Sequence, residues 1–187
     1  MVRKVKTCVF ISGNGTNLRS IIKNSRTYNF PIKIELIISD NKKAKGFEIA
    51  KKNLIHYKYF QYKDKNSFER NCLKELKKKK IKFLCLAGFM KVLSKNFIKN
   101  FKYKIINIHP SLLPKYKGIN THKKVIENKE KYSGCTVHYV TSKLDSGKII
   151  LQKKVLLDKN ETEESLRKKV LKQEHKLYPK SIISIFR

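Results

Sequence analysis

Apolar residues along this chain come in short runs set apart by polar, lysine-rich stretches. Val5 to Ser12 is one such run and predicts a first strand. Gly13-Asn14-Gly15-Thr16-Asn17 follows, and then Leu18, Ile21 and Ile22 recur at helical spacing, so the opening reads as strand, glycine loop, helix. Ile32 to Ser39 predicts a second strand, a lysine-rich stretch at about 44–53 a helix, and about 55–60 a short strand. Over 64–80, Phe68, Cys72 and Leu76, joined by Leu73, form one helical stripe, with the Lys77–Lys80 run at the carboxyl end where cations favour the helix dipole. Phe83-Leu84-Cys85-Leu86-Ala87 is continuously apolar, as expected of a parallel strand covered on both faces. A helix at about 94–101 leads to a strand ending at His109. Strands alternating with helices to this point argue for a parallel sheet with helices on both sides.

Past about residue 120 the pattern changes. A helix at 121–129 is followed by Thr136 to Val140, a polar turn through Asp145-Ser146-Gly147, and Ile149 to Leu157. These read as two strands around a loop, open to an antiparallel pairing at the sheet edge. The last helix is expected to start near Thr162, with Glu163 and Glu164 in its first turn and Leu166, Val170 and Leu177 on its apolar stripe. Glu174 falls on that same stripe, where a carboxylate is costly unless it finds a partner.

A length of 187 residues predicts a single domain, 1–187. No apolar run approaches the ~20 residues that span a bilayer, and residues 1–12 lack the small-residue cleavage zone of a signal peptide. Cys8, Cys72, Cys85 and Cys135 show no CxxC spacing, which fits a reducing, cytoplasmic compartment. Cys135 has no basic partner to mark it as a nucleophile. The formal net charge is +31. That invites a nucleic-acid reading. Lysine, however, far outnumbers arginine, asparagine, isoleucine and tyrosine are abundant, and tryptophan is absent. These abundant residues have A/T-rich codons, and the lysines occur on nearly every predicted element. Mutational bias at solvated positions is therefore the favoured explanation, with non-specific attraction of anions as its by-product.

The glycine loop suits phosphate, because glycines allow close backbone approach and the helix start offers free N–H groups. It is not a P-loop, since no Gly-Lys-Ser/Thr follows. Leu18 stands where a dinucleotide fingerprint needs its third glycine, so Asp40 is not assigned as a ribose-binding acid. A bare turn is the alternative. The five histidines show no close ligand spacing, and no metal is expected. In the strand ending at His109, side chains alternate, so Ile106 and Ile108 point one way and Asn107 and His109 the other, their Cα atoms about 6.6 Å apart at ~3.3 Å per residue. Carboxyl ends of strands are where open α/β sheets place ligands. Asn107 can donate to an oxyanion, and His109 titrates in the range of a proton shuttle. Asp145 is a candidate carboxylate to stabilise the imidazolium and raise its pKa. The plainer alternative is an Asn and a His that only hydrogen-bond a loop.

Ile11-Ser12-Gly13-Asn14-Gly15-Thr16-Asn17-Leu18 closely resembles the amino-terminal signature of the phosphoribosylglycinamide formyltransferase family. Leu86–Met90, Asn107–Pro114, Cys135–His138, Leu144–Gly147 and Gln173–His175 match further motifs in order, over essentially the whole chain. The resemblance implies a Rossmann-like three-layer sandwich, the formyltransferase fold, with a mostly parallel central sheet and antiparallel late strands. It implies transfer of a formyl group from 10-formyltetrahydrofolate, as co-substrate, to the amine of phosphoribosylglycinamide in de novo purine biosynthesis. By resemblance, Asn107 holds the formyl oxygen, His109 is the general acid/base, and Asp145 orients His109 and raises its pKa. Gly15, Thr16, Asn17 and Glu174 would bind the phosphoribosyl substrate. The folate would lie along Met90, Lys91, Val92 and Leu93 and the loop from Thr141 through Leu144 to Asp145, in reach of Asn107. Lys65 stands where many relatives carry an arginine, keeping the charge without the bidentate fork. The resemblance suggests a cis bond before Pro114, which the sequence itself leaves open, isolated X-Pro bonds being cis only ~5% of the time. Small-molecule partners, no specific nucleic acid, no membrane and a monomer or weak homodimer complete the expectation.

The chain stops soon after its last helix, where bacterial relatives often carry a further tail. Methionyl-tRNA formyltransferases share the Asn/His/Asp trio, formyltetrahydrofolate hydrolases are also related, and both stand as alternatives. The former typically have a different first loop and an RNA-binding domain, and the latter an amino-terminal regulatory domain. A non-enzymatic basic RNA-binding protein is the reading from another class, without RRM or zinc-knuckle signatures to support it.

Overall fold

The computed structural model describes residues 4–187. The elements in chain order are β1 (Val5–Ile11), α1 (Thr16–Ser25), β2 (Ile32–Ser39), α2 (Gly46–Lys52), β3 (His56–Tyr59), α3 (Lys65–Lys78), β4 (Phe83–Leu86), α4 (Lys95–Phe101), β5 (Ile105–His109), α5 (Thr121–Glu127), β6 (Tyr132–Tyr139), β7 (Ile149–Leu156) and α6 (Glu163–Ile185). The strands follow the order β3-β2-β1-β4-β5-β6-β7 in one sheet. Two compact units, Met1–Ile106 and Asn107–Arg187, divide the chain inside β5.

In the first unit β1 is central, with β2 and β4 parallel on either side and β3 parallel on the outer side of β2. Cys8, Val9, Phe10 and Ile11 are fully buried, as are Phe83, Leu84 and Cys85, which is what unbroken apolar strands require when helices cover both faces. Phe10 stands at the centre of an aromatic cluster, edge-on to Phe89 at 5.3 Å and to Phe68 at 6.4 Å. Asp64 caps α3 by accepting the Ser67 N–H at 2.8 Å, and Ser94 caps α4 by accepting the Phe97 N–H at 3.0 Å. β3 is exposed along its whole length, consistent with a short, charged edge strand.

In the second unit β6 and β7 pair antiparallel, from Tyr132 opposite Leu156 to His138 opposite Ile149. Helix α6 packs across both strands. Thr162 and Ser165 form a reciprocal capping box at its start, and Leu166, Val170, Glu174 and Leu177 are buried. β6 begins four residues earlier than the Thr136 expected from sequence. Tyr132-Ser133-Gly134 reads as a turn, yet Gly134 is needed inside the strand: a Cβ there would lie 2.0 Å from the Lys153 carbonyl oxygen of β7. The other boundaries agree with the sequence expectation to within two residues. Among the described residues no helix is long and apolar enough to cross a membrane.

Candidate active site

β5 delivers Asn107 and His109 as its alternation dictates, with Ile106 and Ile108 buried on the opposite face. The chain then turns through Pro110–Gly118, with the Leu113–Pro114 bond cis. A buried hydroxyl organises this turn. Thr136 donates to the Ser111 carbonyl at 2.6 Å and accepts the Leu113 N–H at 3.1 Å, while Gln152 donates to the Leu113 carbonyl at 2.8 Å. Ser111 in turn donates to the Lys115 carbonyl at 2.7 Å.

Both nitrogens of the His109 ring are engaged. Nε2 lies 2.8 Å from the Tyr116 carbonyl, and Nδ1 lies 3.3 Å from Oδ2 of Asp145. A carbonyl can only accept, so the short 2.8 Å contact places a proton on Nε2; the ionised carboxylate also only accepts, and its longer 3.3 Å approach becomes a hydrogen bond when Nδ1 is protonated as well. A proton arriving at Nδ1 completes a charge-assisted pair with Asp145. Asp145 also accepts the Gly118 N–H at 2.9 Å and approaches His138 Nε2 at 3.6 Å. His138 donates from Nδ1 to the Tyr139 carbonyl at 2.9 Å, which makes its Nε2 the acceptor for the Asn107 amide nitrogen at 3.3 Å. One N–H of the Asn107 amide is thereby held by His138 and the other is left over. Asn107, His109 and Asp145 therefore converge, 38 positions apart at the extremes (107 to 145).

Asp145 raises the His109 pKa, as a neighbouring carboxylate should, but it is outweighed. Burial pulls the His109 imidazole below its ordinary range; the Tyr116 carbonyl and Asp145 push it back up but do not prevail, and His138 adds to the lowering. For Asp145, burial pushes upward, yet His138, the Gly118 N–H and His109 together hold it below the usual carboxylate range. Cys135 is excluded from nucleophilic work, because burial, with Glu174 nearby, pushes its thiol up to about 12.

In the first unit the glycine loop is locked against α2. Gly15 sits at φ +69°, and a Cβ there would lie 2.8 Å from the Gly46 Cα. Gly46 donates its N–H to the Gly13 carbonyl at 3.2 Å. No side chain caps the start of α1, where Thr16 is half-buried and Asn17 buried. Ser12 donates to Asp40 at 2.6 Å and accepts the Met90 N–H at 2.9 Å, so Asp40 ties the loop to the segment after β4. In that segment Met90 and Val92 are exposed, Leu93 is buried, and the Lys91 ammonium lies 4.6 Å over the Tyr62 ring. Lys65 is half-buried at the first position of α3. In the second unit Thr141 and Leu144 are exposed, and Glu174 is buried in α6.

Sequence reasoning assigned no role to His138, Tyr116 or Ser12. His138 carries a visible signal, two residues beyond Thr136 on one face of β6; Tyr116 carries none, because it acts through its main chain.

An imidazole paired with a carboxylate, beside an amide at a strand's carboxyl end, is an arrangement compatible with acyl-type transfer. Residues 5–182 match the formyl transferase family, and the chain belongs to it. Within that family it is similar to phosphoribosylglycinamide formyltransferase of Escherichia coli (strain K12), with 36% identity over 174 residues that cover 91% of this chain and 82% of the relative. The structure of phosphoribosylglycinamide formyltransferase from Brucella melitensis superposes with a TM-score of 0.93 at 36% identity, covering 98% of this chain and 96% of that one. The trifunctional purine biosynthetic protein adenosine-3 of Gallus gallus is 38% identical over 184 residues, and the match spans 96% of this chain but 18% of that much longer protein.

Proposed function

We propose that this chain transfers the formyl group of 10-formyltetrahydrofolate to the amine of phosphoribosylglycinamide, in the cytoplasm and within one domain spanning 1–187. The observation that carries the reading is the convergence of Asn107, His109 and Asp145, with His109 Nδ1 3.3 Å from the carboxylate. Attack of the amine on the formyl carbon builds negative charge on oxygen, toward which the remaining Asn107 N–H donates. Burial lowers the His109 pKa and favours its neutral form, so it can serve as the base that takes up the amine's proton. Asp145 stabilises the resulting imidazolium, which then returns the proton to the departing folate nitrogen as the carbon–nitrogen bond breaks. The imidazole is regenerated for the next cycle.

Gly15, Thr16 and Asn17, at an uncapped helix start, are assigned to the phosphate of the substrate, and Glu174 to the same substrate. By resemblance Met90, Val92, Thr141 and Leu144 are assigned to the folate; Met90, Val92 and Leu144 are apolar side chains that face water. Lys65 and Lys91 supply positive charge for its carboxylates, and Leu93, being buried, would contribute its main chain. The test is direct. Purified chain, formyl-folate and glycinamide ribonucleotide are mixed and deformylated folate is followed. Product that forms equally without the amine would make the protein a hydrolase, and formylation of methionyl-tRNA instead would move it to the tRNA branch.

A further inference from the structure

We infer that Glu130 is a positioning residue for His109, acting through the main chain of Tyr116; this rests on the catalytic reading of His109 above. The acceptor that keeps the His109 proton on Nε2 is not a side chain but the Tyr116 carbonyl, at 2.8 Å. Tyr116 holds φ +55°, a left-handed conformation that a bulky residue adopts only when its surroundings impose it. Two contacts do so. From one side, Ser111 donates to the Lys115 and Tyr116 carbonyls at 2.7 and 3.3 Å. From the other, one carboxylate oxygen of Glu130, on the connection between α5 and β6, accepts both the Tyr116 hydroxyl at 2.8 Å and the Lys115 ammonium at 2.7 Å. Glu130 therefore staples two consecutive residues of the turn.

The consequence is a choice of tautomer. With the carbonyl in place, the neutral imidazole keeps its proton on Nε2 and presents Nδ1 as the base. With the staple released, Tyr116 is free to leave the left-handed region and Nε2 loses its acceptor. The proton then moves to Nδ1, where Asp145 accepts it, and the basic nitrogen no longer lies next to the carboxylate. The imidazolium then lacks the Tyr116 acceptor that favoured it, so protonation of His109 shifts to lower pH. The groups facing His109 are the Tyr116 carbonyl, Asp145, His138 and, more weakly, His122; Glu130 itself faces Lys115 and Tyr116.

The test uses the full chain labelled with 15N-histidine. The His109 signals among the five histidines are identified by their loss in His109→Ala. The parent is expected to show a neutral Nε2–H ring. Glu130→Ala and Tyr116→Phe are both expected to shift the ring toward Nδ1–H and to lower its midpoint by about half a pH unit or more. Turnover should fall about tenfold with KM within about twofold. Glu130→Gln keeps an acceptor oxygen for the tyrosine hydroxyl and should restore the parent tautomer. If it behaved like the alanine variant, charge rather than the tether would be acting and the inference would fail. An unmoved His109 tautomer and midpoint in Tyr116→Phe, which deletes one hydroxyl and keeps the fold, overturns the inference even if turnover drops. His109→Ala retaining activity within about threefold would instead overturn the catalytic reading, while the resonance shifts would still decide the staple.

Discussion

His109 shows how two opposing effects on one ring are settled by position. Its neighbour Asp145 favours the charged form, but a ring 5% exposed loses more hydration than one carboxylate at 3.3 Å returns. Burial thus favours the neutral imidazole, the form the proposed base requires. The acid limb of the pH–rate profile is accordingly expected below the ordinary histidine value of about 6.5. Asp145→Asn removes a contribution that raises the pKa, so the limb should move further toward acid; an unmoved limb would break the coupling. Replacing His109 by alanine should cost about 10²–10⁴-fold in turnover, measured in the formyl-transfer assay. Asn107→Ala should cost roughly 2.7–4 kcal/mol of transition-state stabilisation, seen in kcat rather than KM if the amide is an oxyanion donor.

At the scale of elements, the junction of β6 and β7 decides where Thr136, His138 and Asp145 stand. Gly134 lets the two strands close up, since any Cβ would strike the Lys153 carbonyl oxygen. Gly134→Ala should therefore cost about 1–3 kcal/mol or more in denaturant unfolding. It should also lower activity in the fraction that remains folded, because Thr136 anchors the turn that follows His109. The element boundaries were largely legible: Ile32–Ser39 and the start of α6 at Thr162 follow from apolar runs and capping residues. The first half of β6 was not, because a Ser-Gly pair carries a local turn preference that packing against β7 overrides.

For the molecule as a whole, a net charge of +31 makes electrostatic attraction of an anionic substrate a long-range contribution. KM for the phosphorylated substrate should rise as salt is increased from about 0.05 to 0.5 M, over which the Debye length shortens severalfold, with kcat little changed. A kcat that fell in step would point to a structural effect of salt instead. The lysines are spread over helices and strands of both units, in keeping with solvated positions rather than a single binding stripe.

Periodicity and spacing were enough to determine the alternating elements, the strand that turns Asn107 and His109 to one face, and the glycine loop, while the family showed itself through the resemblance of whole motifs. Those features are local, set by side-chain alternation, capping and turn chemistry within a few residues. Only the tertiary structure decided that His138 orients the Asn107 amide, that Asp40 is occupied by Ser12, and that burial outweighs Asp145 at His109. Each of these depends on which groups meet across distant segments and how much water they lose there, and main-chain acceptors such as the Tyr116 carbonyl are chemically the same in every residue type.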